Sequence, residues 1–186
     1  IPSYPHVQER TLREGTVRIE PTKHRVEVRL RSKRVTGHIA QSRLPGSNVN
    51  VLLIDQPEYY DRSGLYQDGG KDFRDNCERF VFFSRAVLEA ARTLEVRPDI
   101  IHANDWQTAL IPLLAQTLFA WDRRFSATRT VLTIHNLGHQ GTFGADTVSQ
   151  LGLDPVRGHL HQDELRAGRL GFLRTGIQYA NAITTV

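Results

Sequence analysis

Apolar residues in this chain form short runs, separated by segments in which they recur every three or four positions. Four runs have the length and composition of buried strands: Asn50–Asp55, Asp99–Ala103, Thr130–Ile134 and Ala182–Val186. The segments between several of these runs have the spacing of amphipathic helices. Strands that alternate with helices predict an α/β fold with a largely parallel sheet and flanking helices.

The clearest helical pattern runs from Asp72 to about Leu94. Its apolar stripe consists of Phe73, Cys77, Phe80, Val87, Ala91 and Leu94. We expect Asp72 to be the N-cap, because a short acidic side chain accepts hydrogen bonds from the free N–H groups of a first helical turn. Pro98 indicates that the helix has ended before the next strand.

Two further helices are expected. One covers about Trp106–Phe119 and should bend at Pro112, because an interior proline removes a backbone hydrogen bond. The other carries Leu170, Leu173, Ile177 and Ala180 on one face. Residues 135–164, with five glycines and four histidines, are expected to form a long irregular loop of the kind that is often functional.

Near the start, residues 16–31 alternate charged residues with Val26, Val28 and Leu30. This period of two predicts an antiparallel strand pair, with Pro21–His24 as its turn. Arg18–Arg34 also carries much of the net charge of +4. A nucleic-acid surface is one interpretation, but the segment has no aromatic residue for base stacking. A solvated sheet face is favoured, and no nucleic-acid partner is expected.

Composition narrows the class of protein. The chain has 186 residues, of which 39% are hydrophobic and 24% charged, as in ordinary globular domains. The longest nearly apolar run, about Ala109–Ala115, is too short to cross a bilayer, so no membrane partner is expected. The single cysteine, Cys77, excludes an intrachain disulfide and favours a reducing, cytoplasmic location.

The two ends suggest an internal piece of a longer protein. The sequence contains no methionine, Ile1–Pro5 has the pattern of a strand already under way, and Ala182–Val186 has the pattern of a strand with nothing after it. We therefore expect further chain on both sides.

Polar residues follow two of the predicted strands. Asp105 comes just after one strand and His135 just after the next, and ligands bind at the carboxyl ends of parallel strands. We expect the two side chains to lie side by side at this edge. For Asp105 an N-cap role and a ligand role have equal support from spacing; for His135 the position favours a hydroxyl-binding or catalytic role over a purely structural one.

Other chemistries find little support. The sequence has no HExxH or CxxC spacing for metal, no GxSxG nucleophile elbow, and no GxGxxG or Walker loop for phosphate. Tyr59, Tyr60 and Tyr66 lie in a loop with Asp and Gly, a composition that suits sugar contacts but also an ordinary surface loop.

Five segments together resemble a known family. LLIDQPEYYDRSGLYQD, DFRDNCERFVFFSRAVLE, PDIIHANDWQTALIP, TVLTIHNLGHQGTF and GFLRTGIQYANAITTV are similar, in this order and spacing, to consecutive blocks of bacterial glycogen synthases and plant starch synthases. The resemblance covers the whole chain, and the combination of HxxDW with TIHNLxxQG is highly specific.

The resemblance implies a retaining glucosyltransferase with the GT-B fold, in which the site lies between two Rossmann-like domains. Such enzymes transfer glucose from ADP-glucose to the 4-hydroxyl of an α-1,4-glucan, without a metal or another cofactor. Residues 1–186 would form part of the N-terminal catalytic domain, on the side of the acceptor and the donor sugar.

Several roles follow from the resemblance. His135 would contact the donor glucose near its 6-hydroxyl, with its carbonyl facing the anomeric carbon, and Asp105 would lie near the reacting sugars. Asn136 would shape the sugar pocket, and Tyr66 would approach it. Gln107 and His139 would also bind substrate, but they stand where many relatives have histidine and tyrosine. We expect these two differences to affect the affinity for the acceptor and not the class of reaction.

The resemblance also implies missing parts. The family's first strand–helix unit, with its Lys-Thr-Gly-Gly-Leu loop, would precede Ile1, and the cations that neutralise the leaving ADP would belong to an absent C-terminal domain. We therefore expect the isolated chain to be inactive and of marginal stability. The alternatives are another GT-B sugar-nucleotide glycosyltransferase and a non-catalytic glucan-binding module derived from a synthase.

Overall fold

A computed structural model describes residues 1–5 and 18–186. The strands of the described chain are β1 Glu20–Arg29, β2 Arg34–Arg43, β3 Asn50–Asp55, β4 Gln67–Asp68, β5 Lys71–Asp72, β6 Ile100–Asn104, β7 Arg129–Ile134, β8 Thr142–Gly144, β9 Arg169–Gly171 and β10 Ala182–Thr185. Its α-helices are α1 Pro57–Tyr60, α2 Asn76–Thr93, α3 Asp105–Thr108, α4 Ile111–Gln116, α5 Thr147–Gln150, α6 Gln162–Arg166 and α7 Phe172–Tyr179. Arg123–Phe125 and Asp154–His159 form 3-10 turns.

The carboxyl-terminal part of the chain contains a three-stranded parallel sheet. Its strand order is β10–β7–β6, and both strand pairs are parallel. Ala103 lies opposite Leu132, and both side chains are buried against the flanking helices. The α/β class and the parallel sheet predicted from the hydrophobic pattern are thus confirmed.

The amino-terminal strands form a second, antiparallel sheet in the order β1–β2–β3. The predicted turn at Pro21–His24 is wrong, because these residues lie inside β1. The register is irregular between Pro21 and Arg25, where proline supplies no N–H to the ladder, and the hairpin instead closes at residues 30–33, with Leu30 N–H donating to Lys33 at 2.9 Å. Residues 16 and 17 lie outside the described chain.

Helix α2 packs on the inner face of this sheet. It begins at Asn76 rather than at Asp72, which lies in the short strand β5, so the predicted cap is wrong. Asp75 occupies the N-cap position without capping the backbone, and its carboxylate instead pairs with Arg62 at 2.6 Å. The predicted stripe is confirmed for five of its members, since Cys77 and Phe80 are buried and Val87, Ala91 and Leu94 pack against the core. Phe73 precedes the helix.

The predicted helix at 106–119 is divided into α3 and α4. Pro112 lies in the first turn of α4, where its missing N–H leaves no bond unmade. The helix is therefore interrupted at residues 109–110 and not bent at the proline. Two other predictions needed correction. Leu170 belongs to β9 rather than to the last helix, and the irregular stretch 135–164 contains β8, α5 and part of α6. In the described chain no helix has the length and apolarity needed to span a bilayer.

Candidate functional site

The carboxyl ends of β6 and β7 bring two polar side chains together. Asn104 pairs with Thr133 in the sheet register, so the residues that follow emerge at the same edge. The Asp105 carboxylate accepts a hydrogen bond from the backbone N–H of His135 at 2.7 Å, and its other oxygen lies 3.0 Å from His135 Nδ1. The side chains are 30% and 46% exposed, respectively. The predicted pairing of Asp105 with His135 is confirmed.

The backbone of Asp105 is strained. Its φ is +57°, a left-handed conformation that costs a non-glycine residue about 1–3 kcal/mol. The N-cap position of α3 belongs to Asn104, and no side chain caps that helix. The cap interpretation of Asp105 is therefore wrong: its carboxylate is directed across the sheet edge to His135 and not into its own helix.

A row of polar side chains crosses the parallel sheet just below this edge. His102 Nε2 lies 2.6 Å from Thr133 Oγ1, which in turn lies 2.6 Å from Thr184 Oγ1. These contacts join the three strands β6, β7 and β10 at the same height in the sheet. They fix the strand alignment that places Asp105 beside His135.

The loop after His135 begins with a tight turn. Asn136 Oδ1 accepts a hydrogen bond from Gly138 N–H at 2.9 Å, and the Asn136 carbonyl accepts one from His139 N–H at 3.2 Å. Asn136 thus shapes the backbone that carries His139. Both side chains are exposed at the edge of the site.

Tyr66 and His139 share a cavity of about 320 Å³ beside this turn. The ring centroid of Tyr66 lies 6.3 Å from that of His139 and 6.4 Å from that of Trp106. Gly141 closes the floor with φ +60°, and a Cβ there would approach the Trp106 ring to 2.4 Å. Only glycine fits both the backbone angle and the ring.

Gln107 lies elsewhere. It lines a separate, mostly apolar cavity of about 410 Å³ together with Leu65, Phe80 and Ile111. Tyr66 forms a wall of both cavities. The structure therefore groups Asp105 with His135 and Tyr66 with His139, but it does not bring Gln107 into the cavity of His139.

Arg79 is a supporting residue that the sequence interpretation missed. Its side chain is fully buried, and it donates to the Tyr59 carbonyl at 2.7 Å and to the Leu65 carbonyl at 2.9 Å. Burial lowers the pKa of its guanidinium. Asn76 Nδ2 donates to the Tyr66 carbonyl at 2.8 Å. The available signal was an arginine directly before the apolar run 80–83, where a helix face should be buried.

Two further features concern nucleophilic and metal chemistry. Burial raises the pKa of the Cys77 thiol to about 12, which makes it a poor nucleophile. Within residues 1–5 and 18–186, no three His, Cys, Asp or Glu side chains lie close enough together to hold a metal ion.

Comparison with known proteins gives consistent results. The chain is 44% identical over 155 residues to a glycogen synthase of Syntrophotalea carbinolica, covering 81% of this chain and 31% of that protein. It is 37% identical over 172 residues to glycogen synthase 2 of Geobacter metallireducens, covering 92% and 35%. The chain thus spans about a third of the length of these curated relatives.

A solved structure agrees. The catalytic domain of starch synthase IV from Arabidopsis thaliana, bound to ADP and acarbose, matches with a TM-score of 0.78 and 30% identity, covering 92% of this chain and 34% of that one. The match supports the expected GT-B fragment. The sequence profile described as "Starch synthase catalytic domain" matches residues 1–186. This chain therefore belongs to the starch synthase catalytic domain family.

Proposed function

We propose that the protein is a retaining glucosyltransferase that extends an α-1,4-glucan from ADP-glucose, and that this chain forms part of its N-terminal, sugar-binding domain. The observation that carries the proposal is the Asp105–His135 pair at the carboxyl edge of the parallel sheet. The family and its glycogen synthase relatives support the reaction class. The ADP bound to the starch synthase IV structure supports ADP as the leaving group.

The geometry of the pair suits a sugar hydroxyl. We assign the Nδ1–H tautomer to His135, which then donates a hydrogen bond to Asp105 and carries the lone pair of the ring on Nε2. Nε2 is then an acceptor for a hydroxyl of the donor glucose, and the 6-hydroxyl is the one we assign to it. A histidine held at two points, through its backbone and its ring, presents this acceptor without further ordering.

The reaction develops charge that the chain can stabilise in part. As the bond from the anomeric carbon to the diphosphate breaks, positive charge grows on that carbon. The acceptor 4-hydroxyl attacks from the same face and gives its proton to the departing diphosphate, which leaves as ADP. We assign the carbonyl of His135 to the developing positive charge, because a dipole that is already oriented stabilises charge as it develops in the transition state. The Asp105 carboxylate adds negative potential beside it. These residues need no metal or other cofactor for their roles.

The cavity of Tyr66 and His139 is assigned to the glucan acceptor. Aromatic faces cover the C–H surfaces of sugar rings, and about 320 Å³ accommodates a small ligand segment. Asn136 contributes by holding the turn that carries His139. Gln107 is assigned a lesser, indirect part, because it lines the neighbouring cavity. The proposal includes a cytoplasmic location, which the single cysteine of the chain favours.

The test is glucose transfer to glycogen by the full-length protein, with ADP-glucose and UDP-glucose in parallel. His135→Ala should reduce transfer by at least about 100-fold, a typical contribution of a positioned catalytic group. His38→Ala is the matched control, since His38 lies exposed on β2 and should leave the rate unchanged.

Two results would contradict the proposal. Full activity in His135→Ala would show that His135 has no role in the reaction. A folded wild-type protein that binds maltooligosaccharides but transfers glucose from neither donor would instead be the non-catalytic glucan-binding module.

A further inference from the structure

The loop that carries Tyr66 is anchored by two buried side chains of one helix. This Tyr66 loop, residues 61–72, follows α1 and includes β4 and β5. The Tyr66 carbonyl accepts a hydrogen bond from Asn76 Nδ2 at 2.8 Å, and the Leu65 carbonyl accepts one from a terminal nitrogen of Arg79 at 2.9 Å. Asn76 and Arg79 lie in the first turn of α2 and are 2% and 0% exposed. Two successive carbonyls in the middle of the loop are therefore fixed from the core.

Asn76 and Arg79 act as a unit. The other terminal nitrogen of Arg79 donates to Asn76 Oδ1 at 2.7 Å. Because a guanidinium only donates hydrogen bonds, the side-chain atom of Asn76 that faces it must be the oxygen, and the NH₂ group must face the Tyr66 carbonyl. Arg79 thus orients Asn76, and Asn76 ties the Tyr66 loop to the helix.

The charge of Arg79 is not matched by a carboxylate among its acceptors. Its Nε donates to the Tyr59 carbonyl at 2.7 Å, so all three of its hydrogen bonds end on neutral oxygens. Burial lowers the pKa of the Arg79 guanidinium, because the charged form loses hydration. Apolar side chains of similar volume often stabilise a core at least as well as buried charges. A planar guanidinium is suited instead to hold several oxygens in fixed directions, which indicates a role in positioning.

The position of Tyr66 determines the shape of the cavity assigned to the acceptor. Tyr66 forms a wall of this cavity, together with His139, and also a wall of the apolar cavity that contains Gln107. A shift of the backbone at Tyr66 would open one cavity to the other and withdraw the ring from a bound sugar. An aromatic ring stabilises a sugar only while it covers the C–H surface. Acceptor affinity should therefore depend on the hydrogen bond from Asn76 to this backbone.

We propose that Asn76 and Arg79 are positioning residues for the acceptor, which act through the carbonyl of Tyr66 and set the affinity for the glucan. The identification of the ligand as a glucan rests on the proposed function. Neither Asn76 nor Arg79 lines the cavity of about 320 Å³, so their effect reaches the ligand through Tyr66. Donor binding and the chemical step at His135 do not depend on the pair.

The experiment measures the KM for maltotriose, the KM for ADP-glucose and kcat of the full-length protein. Asn76→Asp keeps an oxygen for Arg79 and suits a first helical turn, but it replaces the donor at 2.8 Å from the Tyr66 carbonyl by an oxygen. We expect the KM for maltotriose to rise about tenfold, the equivalent of one lost hydrogen bond, with the other two constants unchanged.

Two further variants test the chemistry of the substitution at Asn76. Asn76→Ser is too short to reach the Tyr66 carbonyl and adds no charge, so it should also raise the KM for maltotriose. Asn50→Asp makes the same change of side chain at an exposed position at the start of β3 and should leave all three constants as in wild type. Wild-type KM for maltotriose in both Asn76 variants would overturn the proposal.

A double-mutant cycle separates positioning from a general loss of stability. Tyr66→Ala removes the ring through which Asn76 is proposed to act. In that background Asn76→Asp should cause no further rise in the KM for maltotriose, because the two changes remove the same interaction. A purely structural role would multiply the KM by the same factor in both backgrounds, and that outcome would overturn the proposal.

Calorimetric binding of maltotriose distinguishes failure of this proposal from failure of the proposed function. A wild-type protein that binds maltotriose but transfers no glucose would overturn the proposed reaction alone, and weaker binding by Asn76→Asp would still support positioning. A folded wild type that binds no maltotriose would overturn the acceptor assignment and this proposal with it. Arg79→Lys keeps the charge but has one nitrogen in place of three and should also bind more weakly; unchanged binding would overturn the role of Arg79.

Discussion

Asp105 and Glu95 have almost the same strained backbone, at opposite ends of β6. Their φ angles are +57° and +56°. Glu95 follows the last residues of α2, and its N–H donates to the Arg92 carbonyl at 3.1 Å, so its left-handed turn ends a helix, as often happens at that position. Asp105 instead opens a helix, and its conformation directs the carboxylate to His135. The same strain ends a helix at one edge and directs a carboxylate to His135 at the other.

The largest effect expected from this difference is on activity. Asp105→Gly relieves the backbone strain but removes both hydrogen bonds to His135, so we expect glucose transfer by the full-length protein to fall by about 100-fold or more. Asp105→Asn tolerates the same backbone and keeps one acceptor oxygen, and should retain more activity. Initial rates at saturating ADP-glucose measure both. Equal rates for Asp105→Gly and wild type would show that the Asp105 carboxylate has no part in the reaction.

A second expected effect concerns the packing under the cavity of the carboxyl edge. Gly141→Ala places a Cβ 2.4 Å from the Trp106 ring at φ +60°, and should reduce the free energy of unfolding by about 2–4 kcal/mol through overpacking and backbone strain. Gly46→Ala is the matched control, since φ is +68° there but nothing lies within 4 Å of the added Cβ; it should cost about 1 kcal/mol. Urea unfolding measures both. Equal losses would show that the ring moves aside.

Acid should weaken the fold through two buried carboxylates, Glu164 and Asp122. Hydrogen bonding from Arg169 lowers the pKa of Glu164, and the backbone N–H of Arg124 lowers that of Asp122. Because these folded pKa values lie below the unfolded values of about 4.3 and 3.9, the stabilisation is complete above those values and is lost as the pH falls through the folded pKa values.

The expected result is a fall in melting temperature below about pH 4. Glu164→Gln should be less stable than wild type at pH 6 and should lose less on acidification. Asp163→Asn is the control, because its pair with Arg166 is largely exposed and surface pairs contribute little. Identical pH profiles for Glu164→Gln and wild type would contradict the assignment.

The smallest effect is expected at Glu95. Glu95→Gly should raise the free energy of unfolding by about 0.5–1 kcal/mol, because glycine adopts the left-handed conformation without strain. Transfer should be unchanged, in contrast to Asp105→Gly. A loss of activity in Glu95→Gly would mean that strain at the amino edge also serves the reaction.

The sequence predicted the strands of the parallel sheet and the meeting of Asp105 with His135, because both depend on local hydrophobic runs and on a general rule of parallel sheets. The predictions from sequence were wrong where contacts between residues distant in the chain determine the local structure. The segment Pro21–His24 has the composition of a turn but pairs with β2. Asp72 and Asp105 have the composition of caps, yet each is used otherwise. Arg79 could not be assigned, since two of its acceptors, the carbonyls of Tyr59 and Leu65, come near it only in the folded chain.

The polar row of His102, Thr133 and Thr184 has a consequence for how the chain folds. Its two contacts join residues 31 and 51 positions apart, and parallel pairing over such separations is slow because loop closure must precede it. Apolar strands can collapse together in several alignments, but a slip by one residue reverses the faces of a strand and leaves Thr133 without both partners. The row thus favours the native alignment of the three strands over alignments shifted by one residue.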